Sequence, residues 1–133
     1  MAFLPSIIGI ELIGVADPGI PNQERIIIRA QYVNLAQYAV IVGVKNEKGL
    51  INPTPDHFYW LGDVEISEST WIIIYTGPGS FKVTKAEGTG EIVHVAHLGK
   101  DKTIFNSVNV VPAIINLGGI IVGTLLSPPG TKS

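Results

Sequence analysis

An all-β fold of about eight or nine short strands, a sandwich or a barrel, is what this 133-residue chain predicts, on three observations. Ile and Val number 33 against 9 Leu, 8 Ala and 1 Met, a ratio that suits a pleated surface rather than a helix. Short apolar runs recur at regular intervals with turn chemistry between them. No stretch of eleven or more residues carries a 3.6-residue period, which leaves room for one helical turn at most.

Taken in order, Ile7 to Val15 is the first strand, closed by Asp17-Pro18-Gly19, where Asp starts a turn, Pro presets φ and Gly accepts positive φ. Glu24 to Val33 alternates most cleanly: Ile26, Ile28, Ala30 and Tyr32 fall on one face, Arg25, Arg29 and Gln31 on the other. Tyr38 to Lys45 is apolar in both of its alternating sets, so the strand is expected to be covered on both sides. Asn46-Glu47-Lys48-Gly49 is a turn, and the two prolines of Asn52 to Asp56 confine that segment to a loop or a sheet edge. His57 to Leu61, Thr70 to Thr76 and Glu91 to His97 are further strands, with a short piece at Phe81 to Thr84. Thr103 to Phe105 and Val110 to Ile115 follow, and Asn116-Leu117-Gly118-Gly119 signals a hairpin into a last strand, Ile120 to Leu126. The tail from Ser127 to Ser133 has nothing to bury and is expected to fray.

Length points to a single domain spanning residues 1–133, with no repeat or low-complexity linker to divide it. Charged residues make up only 15% and mean hydropathy is +0.36, which predicts that part of the surface is covered by a partner. A net charge of −2 without a basic run gives nucleic acid no purchase. The absence of Cys removes disulfides and thiolate metal sites. The N-terminus lacks a basic region before its apolar residues and does not read as a signal peptide, and Val108 to Ser127 is broken by Pro112, Asn116 and Gly118-Gly119, so no membrane span is expected. A cytoplasmic location is the expectation.

Little chemistry stands out. His94 and His97 have the spacing of some metal sites, but on a strand residues three apart point to opposite faces. Asp63 and Glu65 share a face, with Glu68 near, yet nothing in the sequence signals the burial that acid–base work needs. Gly77-Pro78-Gly79-Ser80 lacks both the Gly-Lys-Ser/Thr ending of a P-loop and the Gly-x-Ser-x-Gly of a nucleophile elbow, and reads as a turn. No catalytic residue, metal ligand or cofactor is assigned. The most informative local feature is His57-Phe58-Tyr59-Trp60 beside the Pro-rich loop. Alternation splits it into two pairs, and with Trp60 and Trp71 assigned to the core, His57 and Tyr59 become the surface candidates for an interface or a ligand, together with Asp56.

Three segments resemble the lamin-tail domain: Tyr38-Ala39-Val40-Ile41-Val42-Gly43-Val44-Lys45-Asn46, the run from Ile66 to Gly79 that ends Tyr75-Thr76-Gly77-Pro78-Gly79, and Pro112 to Val122. In that family a Tyr-Ile-x-Ile-x-Asn strand precedes one ending in Tyr/Phe-Thr-Gly-x-Gly, and a hairpin closes the fold. The likeness covers about residues 24–123. It implies an immunoglobulin-like antiparallel sandwich used as a non-catalytic interaction module.

The function expected is therefore that of a non-catalytic protein-interaction or self-assembly module. Three strands apolar on both faces, Tyr38 to Lys45, Thr70 to Thr76 and Gly119 to Leu126, argue for a homo-oligomer or another protein as partner. The alternative is a sandwich that binds a small ligand or carbohydrate through His57, Tyr59 and Asp56.

Overall fold

The structure, a computed structural model, describes residues 9–49, 51–119, 121 and 123–130, with the side chains of residues 53–56 left out. It is all-β and sandwich-like. Ten strands occur among the described residues: β1 (Ile10–Ala16), β2 (Arg25–Ala30), β3 (Val33–Asn34), β4 (Tyr38–Lys45), β5 (Ile51–Trp60), β6 (Glu65–Ile66), β7 (Thr70–Tyr75), β8 (Lys82–Lys85), β9 (Ile92–His97) and β10 (Val110–Asn116). The only helical turn among these residues is a 3-10 turn at Leu35–Gln37, capped by the Asn34 side chain, which accepts from the Ala36 N–H.

One sheet has the order β1-β2-β7-β9-β8, a second β10-β4-β5, and β3 pairs with β6. The pairing is antiparallel apart from β7 and β9, which run parallel from Thr70↔Ile92 to Tyr75↔His97. The antiparallel expectation holds for every other pair. After β7 the chain crosses to the far edge, forms β8, and returns through the Glu87–Gly90 turn as β9, which fills the slot between β8 and β7.

The core lies where the two larger sheets face each other. Ile26, Ile28 and Ala30 of β2 and Ile72 and Ile74 of β7 meet Tyr38, Val40 and Val42 of β4, all buried. Alternation drives every second side chain inward, and each full burial of an Ile contributes about 2 kcal/mol. One end of the five-stranded sheet is tied to the loop before β10 by Glu24, 1% exposed. Its carboxylate accepts from the Thr76 hydroxyl (2.6 Å) and from the N–H groups of Gly19, Ile104 and Phe105 (2.9, 2.8 and 2.8 Å). Burial opposes its ionisation, but those four donors prevail and hold the carboxyl below its usual range. Thr103 to Phe105, expected as a strand, is a loop because its amides face this carboxylate rather than a neighbouring strand.

Two further expectations are corrected. Tyr32 does not continue the inward row of β2: it has φ 53° and is 75% exposed. The chain changes partner there, with the Gln31 N–H on the Gly9 carbonyl and Val33 opposite Ile66. The closing hairpin is also absent from the described residues. Residues 121 and 123–126 are not in a strand, and positions 120 and 122 lie outside the described set, as do Ile7 and Ile8 of the first predicted strand and residues 131–133 of the tail. Leu117 donates its N–H to the Gln37 carbonyl, which extends the pairing of β10 with the β4 side one residue beyond Asn116.

Prolines mark both edges of the smaller sheet. Pro53 lies in β5 opposite Gly43, the edge position its sequence required, and Pro112 lies in β10 opposite Val42. The Lys45 N–H meets Asn109 and the Leu117 N–H meets Gln37, so odd-numbered β10 positions face β4 and even-numbered ones, Pro112 included, face the open edge. That edge lacks a donor at its middle.

Candidate interaction face

β4 is the central strand of the three-stranded sheet, and while Tyr38, Val40 and Val42 point into the core, its other set points away. The register sets Ala39 between Ile115 and Trp60, and Ile41 between Ala113 and Phe58. These six side chains form two cross-strand rows without a charge. Phe58 is 54% and Trp60 41% exposed, while the small Ala39 is shadowed by its neighbours. The Trp60 Nε1–H donates to the Ala36 carbonyl at 2.8 Å, so the only donor of the indole is satisfied and its apolar ring remains on the face. Beside it a cleft of about 350 Å³ runs between Ala36, Gln37 and residues 116–119. At the opposite end the face stops, because a Cβ on Gly43 would collide with the Asn52 backbone.

The sequence split the aromatic run into the right pairs and assigned them the wrong way round. Tyr59 stands opposite Val40 and packs against the core, where burial pushes its hydroxyl pKa up. His57 lines a cleft of about 400 Å³ with residues 100–104. The side chain of Asp56 lies outside the described residues. Phe58 and Trp60 are the outward pair, since the sense of alternation is set by register with β4 and not by the local sequence. Trp71 is not core either, lying on the outer face of the five-stranded sheet beneath Arg29.

A surplus in β5 accounts for part of this. Between Phe58 and Pro53 the strand advances five residues while β4 advances two, from Ile41 to Gly43, so three extra residues bulge out and carry Asp56 and His57 with them.

The other two histidines lie on β9. His94 stands opposite Ile72 and His97 opposite Tyr75, on opposite faces of β9 as alternation requires. The His97 ring stacks on Tyr75 at 5.3 Å and lies where a Cβ on Gly79 would fall, so the turn seals it. His94 meets Phe81 edge-on at 5.9 Å, and burial lowers its pKa. Asp63 and Glu65 are exposed. No group of three or more His, Asp or Glu among the described residues is placed to hold a metal ion. An apolar cavity of about 530 Å³ lies in the seam between Val15 of β1, Phe105 and Val110 to Pro112 of β10. No helix among the described residues is long and apolar enough to cross a membrane.

No protein-family model, no curated protein and no solved structure matches this chain.

Proposed function

We propose that this chain is a non-catalytic interaction module, an immunoglobulin-like sandwich of the lamin-tail kind, that assembles with protein through the outer face of its three-stranded sheet. The observation that carries the reading is the pair of uncharged rows around Ala39 and Ile41, with Phe58 and Trp60 standing proud of them. Aromatic anchors surrounded by small and β-branched residues are the composition of a contact core. A carbohydrate would need hydrogen-bonding groups beside the rings, and these six residues supply none from their side chains apart from the indole N–H already bonded to Ala36.

Sedimentation velocity over a wide dilution series tests the reading. Self-association is expected, and Phe58→Glu is expected to weaken it by at least about tenfold while the dilute monomer keeps its fold by circular dichroism, because the side chain is exposed within the monomer. A wild-type chain that stays monomeric throughout, or a Phe58→Glu variant that associates as wild type does, would remove the proposal.

A further inference from the structure

Two apolar surfaces of this chain are exposed, and one begins where the other ends. Beyond β10 the sequence runs Leu117-Gly118-Gly119-Ile120-Ile121-Val122-Gly123-Thr124-Leu125-Leu126, ten residues without a charge. Ile121, Leu125 and Leu126 are 98%, 77% and 99% exposed. This segment departs beside Trp60, since the cleft against that ring is walled by residues 116–119.

Residues 117–119, 121 and 123–126 of the segment are in no strand. Pro112 offers no donor in the middle of the open edge of β10. Ten extended residues reach roughly 33 Å, whereas three strands are only about 10 Å across from axis to axis. The segment can therefore leave its own sandwich and still span a neighbour's face.

Size separates the ways two copies could meet, because an exchange buries both a face and a segment on each copy, about twice the area of two faces pressed together. A face three strands wide and one seven-residue strand long covers roughly 23 by 14 Å, on the order of 300 Å², well below the about 800 Å² per partner of a stable interface. Two such faces pressed together are too small. If each copy lays its segment across the face of the other, both faces and both segments are buried at once.

We infer that the outer face of the three-stranded sheet is covered by residues 117–126 of a second copy, exchanged reciprocally. The inference rests on the face being an association surface and adds what occupies it. Neither surface carries charge, so the contact is driven by apolar burial and is insensitive to salt.

The absence of Cys makes a direct test clean. A Phe58→Cys chain and a Leu125→Cys chain of different mass are mixed and mildly oxidised. A disulfide joining the two different chains is the expected product. A Phe58→Cys homodimer formed in preference would mean face-to-face packing, and an internal disulfide in the monomeric double variant would mean that the segment folds back on its own chain. Either result overturns the inference. Sedimentation of Leu125→Asp and of a chain ending at Leu117 separates it from the reading beneath it. Both variants are expected to lose self-association by at least about tenfold, as Phe58→Glu does. Loss with Phe58→Glu alone would sink the exchange and keep the face, whereas loss with none of the three would sink both.

Discussion

The outer faces of the two sheets are built from similar apolar strands and finished differently. On the five-stranded sheet, Arg29 lies 4.6 Å over the Trp71 ring and Arg25 lies 5.8 Å over Tyr75. Their stems cover the aromatic surface while their heads meet acids, Arg25 to Asp17 at 2.7 Å and Arg29 to Glu91 at 2.8 Å. Ser69 completes the second cluster, accepting from the Arg29 guanidinium and donating to Glu91, and its hydroxyl is the main cause that holds the Glu91 carboxyl below its usual range. Among the described side chains no arginine lies over a ring of the three-stranded sheet: where β2 offers Arg25 and Arg29, β10 offers Val111, Ala113 and Ile115. A strand apolar on both faces is thus no sign of a partner by itself. What matters is whether a neighbouring strand brings a long charged side chain to lay over it.

The largest expected effect concerns the tie between the five-stranded sheet and the loop before β10. Glu24→Gln replaces an acceptor of four hydrogen bonds with a group that turns donors toward amide hydrogens, and is expected to cost about 3 kcal/mol of stability in urea unfolding at neutral pH. Because the folded carboxyl sits below the unfolded value of about 4.3, its contribution is fully present above that pH and fades as pH falls through the folded value. The gap between wild type and variant should close in acid; a gap that widens would mean the carboxyl is not ionised in the fold. Next comes the counterpart of the Phe58→Glu experiment. Arg29→Ala should lower stability by about 1 kcal/mol, read by the thermal midpoint, and leave sedimentation untouched. If Arg29→Ala altered association, the contrast between a capped face and an open one would break. The smallest effect belongs to His94, whose lowered pKa means that the folded state resists its protonation. Stability should decline gently as pH drops below the unfolded value of about 6.5, and His94→Phe should flatten that decline by a few tenths of a kcal/mol.

Alternation within a strand was readable throughout. β4, β7 and β9 fall within a residue of their expected bounds, whereas β4, apolar in both sets, is covered by the core on one side only. What local pattern cannot carry is partnership. Tyr32 leaves the row of β2 because its neighbours Gln31 and Val33 bond to Gly9 and Ile66, which are remote in sequence. The turn chemistry of Asn116 to Gly119 is not followed by a strand among residues 121 and 123–126. The candidate face was missed for the same reason. Its rows are assembled from β10, β4 and β5, and the choice between Phe58/Trp60 and His57/Tyr59 depends on a register that only the pairing with Val40 fixes. One signal was present: Val111, Ala113 and Ile115 repeat the apolar second set of β4, which becomes informative once the two strands are set side by side.

Pro112 carries a last consequence, for stoichiometry. A sheet with an unbroken row of donors along its margin invites copy after copy to join end to end, and the product is a fibre with no natural size. Here the margin of β10 is interrupted at its centre, and Pro53 stands on the opposite margin. Association through the three-stranded sheet is thereby steered from its rims to its face, and a reciprocal exchange would cover that face and the segment in both copies. Growth should end at a small closed number rather than run on into polymer.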